Sequence, residues 1–273
     1  MAAQQRRRDE VGVGTTVDLV GCGTSEVLLA GPAIRALAGR ARPVVLLVDP
    51  DAQEAAALLP GVADVQVVPA AADHPAGPPA LALRPRGDAP GHDVERLISA
   101  ALDAGGRLPS EDDGLLRLRA PLPAVEELVP PEPYVVLHPG ARDPAHCWAA
   151  ASCAEAARLL LTEGWAVVVT GGPGDVGLTA RVAAGSGSRL VDLGGLTSFA
   201  ELAAVLAGAR AVVAASTAAA QLAAAAGTPV VALLPPGADE PERRAPYGVP
   251  SVLLELPSVT AADVLASVGK LAG

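Results

Sequence analysis

Lysine is almost missing from this sequence. Lys270 is the only one, and every other basic residue is arginine. A site that needs a lysine ammonium elsewhere must do without it. Aromatic residues make up 2% of the chain, so alanine, valine and leucine have to fill the interior. Cysteine is down to Cys22, Cys147 and Cys153, an odd number with no C-x-x-C pair. That speaks against a disulfide framework and against structural zinc. No apolar run approaches the ~20 residues of a membrane span. Positive charge is short as well: the formal net charge is -10, the wrong sign for a general nucleic-acid binder. The opening MAAQQRRRDE lacks the apolar core of a signal peptide, so the expectation is a soluble cytoplasmic protein. Arg6, Arg7 and Arg8 read as a frayed terminus rather than a basic tag.

Apolar residues, by contrast, are plentiful: 51% of 273 residues, enough for two cores. The most informative stretch is residues 134–175, YVVLHPGARDPAHCWAAASCAEAARLLLTEGWAVVVTGGPGD. YVVLH is a short strand-like run stopped by Pro139 and Gly140. Residues 149–163 are helix formers, with Cys153, Ala156, Ala157, Leu160 and Leu161 near one face. Gly164 follows where a terminating glycine belongs. WAVVVT reads as a second buried strand, ended by Gly171, Gly172, Pro173 and Gly174. Two parallel strands joined by a helix form a right-handed βαβ unit. Ligands of such sheets bind beyond the carboxyl ends of the strands. Those ends are the loops HPGARDPAHCW and TGGPGD.

Before this stretch, strands are expected at residues 16–20, 43–48 and 65–68. Helices are expected over 26–38, irregular near Pro32, and over 51–59. That βαβαβ pattern implies a parallel sheet. Between residues 70 and 133 proline and glycine interrupt often, leaving one clear helix at 93–104 and a strand at 115–118. PPEP at 130–133 reads as a stiff linker, which divides the chain into domains 1–130 and 131–273. The second domain continues with a helix at 177–184, the strand RLVDL and a helix at 198–206 capped by Thr197 or Ser198. A strand at 211–215, an alanine-rich helix at 217–226, a strand at 229–234 and a last helix at 261–271 complete it. The last helix is a candidate to pack back on the first domain. The expected architecture is α/β: two doubly wound domains with a cleft between them.

Gly172, Gly174 and Gly177 also spell a G-x-G-x-x-G after a strand, with Asp192 about twenty residues on, the form of a dinucleotide fingerprint. A dinucleotide-binding oxidoreductase is therefore one alternative. Against it, the motif sits on the second strand of its domain, and Pro173 stiffens it.

Several motifs occur together and in order: HPGAR (138–142) with Trp148 after it, TGGPGD (170–175), DLGGLTSFAELAAVLAGA (192–209), AVVAASTAAAQLAAAAGTPVVAL (211–233) and APYG (245–248). With GTSEVLLAGPAIRAL (23–37) and PGVADVQVV (60–68), they resemble glycosyltransferase family 9, the ADP-heptose lipopolysaccharide heptosyltransferases. The resemblance covers most of the chain except roughly residues 70–130, where acceptor contacts usually lie. It implies the two-domain GT-B fold, with Rossmann-like acceptor and donor domains. It also implies transfer of a sugar, heptose or a relative, from an NDP-sugar, ADP-linked in the family, to a glycan or small-molecule acceptor. The transfer would invert the anomeric centre and use no metal and no cofactor.

The resemblance also assigns roles. Inverting transfer needs a carboxylate to take the acceptor proton. The family uses the Asp of a Gly-Asp pair, and here the pair is Ser25 and Glu26. The carboxylate of Glu26 sits one methylene further out, and ~1 Å of displacement can cost on the order of 100-fold. The leaving diphosphate needs helix amides and cations. The donor-side positions are His138, Gly140, Arg142, His146, Gly171, Gly172, Asp175, Thr197, Ser216, Thr217 and Gln221. His138 is expected to orient its loop, and Gly171 to Asp175 with Thr197 to border the nucleoside. The family's phosphate Lys is His146 here, its donor-helix Asp is Ser216 and its His is Gln221. A second alternative follows from these changes: a binding or scaffold protein on the same fold with weakened catalysis.

Overall fold

The structure, a computed structural model, describes residues 14–39, 43–68, 80–84, 91–238 and 240–273. Arg6, Arg7 and Arg8 lie outside the described residues, as does part of the proline-rich stretch after residue 68. The chain forms two compact units, Met1–Arg119 and Ala120–Gly273.

The first unit contains β1 (Thr15–Asp18), α1 (Thr24–Leu29), α2 (Gly31–Ala38), β2 (Val44–Val48), α3 (Gln53–Ala57), β3 (Val62–Val67), β4 (Leu81–Ala82) and α4 (Asp93–Asp103). Its four strands pair in parallel in the order β3-β2-β1-β4. The single helix expected over 26–38 is two helices parted at Ala30, because Pro32 has no N–H and fits only the first turn of the second. β4, two residues long, is invisible as a hydrophobic run. The strand expected at 115–118 does not form. Side chains take the bonds a neighbouring strand would have supplied. Arg35 donates to both Asp112 carboxylate oxygens and to the Leu115 carbonyl. Arg119 donates through its backbone to Leu58 and through its guanidinium to the carbonyls of Leu59 and Val62.

The second unit contains β5 (Tyr134–His138), α5 (Ala150–Thr162), β6 (Ala166–Gly171), α6 (Val176–Ala183), β7 (Leu190–Gly194), α7 (Phe199–Gly208), β8 (Ala211–Ala214), α8 (Thr217–Ala225), β9 (Val230–Leu234), β10 (Ser251–Glu255) and α9 (Ala261–Ala272). The six strands are parallel in the order β10-β9-β8-β5-β6-β7. Leu137 at the centre lies opposite Val169 on one side and Val213 on the other. Strands buried on both faces read as continuous apolar runs, as VVL and AVVV do here. β10 was not expected. It is an edge strand whose five residues are exposed or half-buried, so it shows no apolar run.

With so few aromatics, the core is built from Val135, Leu137, Val167, Val169, Val213 and Val231, closed by Trp148, Cys153, Leu160, Val264 and Val268. α9 packs against α5, β8 and β9. The Tyr134 hydroxyl donates to the Val205 carbonyl at 2.8 Å, and burial pushes its pKa up to about 12. Gly208 leaves room for that ring, since a Cβ there would stand 2.5 Å from the hydroxyl. Among the described residues no helix is long and apolar enough to cross a membrane.

The Arg35–Asp112 pair is 10% and 9% exposed, with its nearest atoms 2.6 Å apart. Arg35→Met should cost the first unit about 3–5 kcal/mol, as when one side of a buried pair is removed, measured by urea unfolding. The Arg35 hydrogen bond, foremost, holds the Asp112 carboxyl below its ordinary value. Its contribution is complete above the unfolded value of ~3.9 and is lost as pH falls through the lower folded value. Arg35→Met should flatten that acid-side loss.

Candidate functional site

In the second sheet the chain runs outward from β5 to β6 and β7, then returns and runs outward the other way from β8 to β9 and β10. Strand order therefore reverses between β5 and β8, and a parallel sheet takes its ligands at the carboxyl edge of that reversal. In the first sheet the reversal lies between β1 and β4. His138, Gly140, Arg142, His146, Ser216 and Thr217 fall at the first of these places and Glu26 at the second, whereas Gly171, Gly172 and Asp175 stand at the end of β6 and Thr197 follows β7.

β8 runs straight into α8. Ser216 is the N-cap and accepts from the Ala219 N–H at 3.4 Å. Thr217 is exposed at the first helical position. The first N–H groups of a helix have no acceptor within it, and such an amino terminus suits an anion. Beyond that turn α8 is buried from Ala219 to Ala225.

The loop after β5 is braced from within. The backbone N–H of Trp148 donates to the Pro139 carbonyl at 2.9 Å, and that of Ala141 to the Cys147 sulfur at 3.3 Å. Asp143 accepts from the Ala145 N–H at 2.9 Å. Trp148 is buried and anchors the loop's end, while Arg142 and His146 are exposed on it. His146 stands 4.0 Å from Asp143. At the loop's start His138 is buried, with Nδ1 3.0 Å from the Thr170 hydroxyl. Burial lowers its pKa to about 4 against the opposing pull of Asp175. It is a neutral strut between β5 and β6.

Asp175 joins the two loops. Its Oδ2 accepts from the Gly172 N–H at 2.9 Å. A Cβ on Gly140 would lie 2.3 Å from the same oxygen, and one on Gly171 2.7 Å from the Asp175 Cβ. The carboxylate thus rests on the backbone after β5. Glycine is required at 140 and 171 by close approach. At Gly174 a Cβ would meet nothing within 4 Å, and at Gly177 only the end of Arg181 at 3.7 Å. The glycines of the apparent dinucleotide fingerprint therefore make none of the close approaches that give that motif its meaning. It also lies off the strand-order reversal.

After β7, Ser198 rather than Thr197 caps α7, in a capping box with Glu201. Thr197 is half-buried beside Leu196, which is 69% exposed. Gln221, expected among the donor-binding residues, is fully buried. Its Nε2 donates to the carbonyls of Arg244 at 2.8 Å and Ala245 at 3.2 Å, so it does not share the exposed surface of Thr217.

In the first unit Glu26 lies in the first turn of α1, half-buried, and accepts from the Ser25 hydroxyl at 2.8 Å. The turn before it is tied down by Asp49, which accepts from the Gly21 N–H at 2.6 Å. Arg84, just past β4, donates to the carbonyls of Asp18 and Val20 and so holds the end of β1. Arg84 and Leu196 escaped the sequence reading; only their places at carboxyl edges single them out.

Gly140→Ala should cost about 1–3 kcal/mol by overpacking, and clearly less in an Asp175→Ala background, tested by a thermal-unfolding cycle. His138 has a folded pKa near 4 against an ordinary 6.5. Its contribution is intact above 6.5 and is lost as pH falls from there towards 4. His138→Gln should remove that part of the pH dependence of Tm.

Comparison with known proteins bears on both units. A glycosyl transferase family 9 protein from Veillonella parvula DSM 2008 superposes with a TM-score of 0.77 at 14% identity, over 96% of this chain and 98% of that one. E. coli ADP-heptose LPS heptosyltransferase II gives 0.73 at 19% identity, over 94% and 98%. E. coli heptosyltransferase WaaC, solved with ADP, gives 0.71 at 18% identity, over 94% and 99%. No curated protein sequence matches the chain. The likenesses show the fold: two parallel α/β sheets of the GT-B heptosyltransferase kind. The sequence model of one family matches residues 49–263, a span that begins after Glu26 and takes in all the donor-side loops. By that match the chain belongs to glycosyltransferase family 9 (heptosyltransferase).

Proposed function

We propose that this glycosyltransferase moves a heptose or related sugar from a nucleoside diphosphate donor, ADP-linked, to a carbohydrate or small-molecule acceptor. The first unit would bind the acceptor and the second the donor. The observation that carries the reading is the open amino terminus of α8 at the strand-order reversal, with Arg142 and His146 exposed on the loop after β5. Helix amides and these side chains would take up the charge of the leaving diphosphate, which makes a metal unnecessary. Asp175, Gly171, Gly172 and Thr197 would border the nucleoside, and Leu196 offers an exposed apolar surface to its base. WaaC was solved with ADP and with ADP-2-deoxy-2-fluoro heptose, which favours adenine.

Glu26 would act as general base. The acceptor oxygen attacks the anomeric carbon opposite the leaving group and gives its proton to Glu26. The bond from that carbon to the diphosphate oxygen breaks, so the product is inverted. Three free thiols fit a reducing compartment such as the cytoplasm. A second reading, a binding protein without turnover, is favoured by one observation: Gln221 is buried where the family carries a donor-helix His.

A screen of ADP, UDP, GDP and NAD by thermal shift tests the donor. ADP at about 100 times its Kd should add ~2.7 kcal/mol, and NAD should add nothing comparable. With a transferable donor found, Glu26→Gln should lower kcat by about 10²–10⁴ and leave donor affinity alone. Unchanged turnover in that variant would remove Glu26 as base. Binding without transfer or hydrolysis would favour the second reading.

A further inference from the structure

Gln221 is one helical turn beyond Thr217 on α8, four residues or ~6 Å along the axis. Its carboxamide spans two carbonyls, those of Arg244 and Ala245. The opposite orientation would set Oε1 against both carbonyl oxygens, so the two N–H groups must face them. Oε1 has no partner. A leucine would fill the same space without this unpaired oxygen, but would leave the two carbonyls without these donors. The side chain is therefore suited to holding the segment that ends at Ala245.

That segment is a 3-10 turn, Pro241–Arg244, with its own internal bracing. The Arg243 N–H donates to the Glu240 carbonyl at 2.9 Å, and the Arg243 guanidinium pairs with the Glu240 carboxylate. Glu240 holds φ at 45°, a left-handed conformation that a non-glycine residue adopts at a cost. The Arg243 guanidinium is thus held within the turn, and Arg244 is exposed at its end.

We propose that Gln221 is a positioning residue: it fixes the arginine-bearing turn beside the amino terminus of α8, so that Arg244 shares the charge of the leaving diphosphate with the helix amides. This rests on the donor reading above. It compensates for the missing lysine: the loop after β5 carries His146, and a guanidinium from the turn after β9 supplies permanent charge.

The test uses the full chain as wild type, Gln221→Leu, Arg244→Ala and the double variant, titrated with adenosine, AMP and ADP. Each single variant should weaken ADP roughly tenfold, the loss of one charge-assisted contact, and leave adenosine unchanged. The double variant should be no worse than the weaker single one, because both changes remove the same contact. Hydrogen exchange at residues 242–248 should quicken in Gln221→Leu and not in Arg244→Ala. Wild-type ADP affinity in a folded Gln221→Leu overturns the proposal. So does an equal loss for adenosine, which marks general loosening, or unchanged exchange at 242–248. If Gln221→Leu does not fold, Arg244→Ala decides, and undiminished ADP affinity there overturns it. A wild-type protein that binds no nucleoside diphosphate sinks the donor reading instead, and the exchange measurement alone then judges the clip.

Discussion

Between β5 and β8 the chain leaves in opposite directions, and the connections that cover the carboxyl edge elsewhere part company there. A parallel sheet buried on both faces offers its backbone to a ligand mainly at such an edge. The loop after β5 and the start of α8 stand at that reversal in the second unit. In the first unit the reversal lies between β1 and β4, and Glu26 follows β1. The candidate chemistry of each unit is thus placed by strand order before any side chain is considered.

Small residues then decide how closely the loops can approach. A core with almost no aromatics packs through alanine and valine, and its loops settle against one another at backbone distance. The Asp175 carboxylate lying on Gly140 is the clearest case, since one methyl group would have to displace it. Buried His138 joins the same two loops from below, kept neutral by its surroundings. The result is a closely packed pair of loops, with Arg142 and His146 exposed on the first of them.

Arginine and glutamine supply the clamps. Arg84 holds the end of β1, Arg35 and Arg119 hold the extended segment that follows α4, and Gln221 holds the turn after β9. Each bonds to backbone carbonyls, and in the segment after α4 such bonds stand in for secondary structure where proline interrupts it. That is why residues 107–119 are ordered without being a strand, and why a strand was wrongly expected at 115–118.

The βαβ alternation, the apolar runs of the central strands and the glycine and proline stops were legible in the chain, because period, length and terminators are local properties. So was the family, through loops whose residues lie close together in sequence. The edge strand β10 and the two-residue β4 were not legible, since half-exposed or very short strands leave no apolar run. Nor could the sequence say which glycines matter: Gly140 and Gly174 look alike until Asp175 is seen against one and open space beside the other. The same holds for Gln221. Its place in the family motif suggested a ligand contact, and only the fold shows it buried and donating to the carbonyls of residues 244 and 245. Those roles depend on atoms far apart in the chain, so only the folded arrangement could decide them.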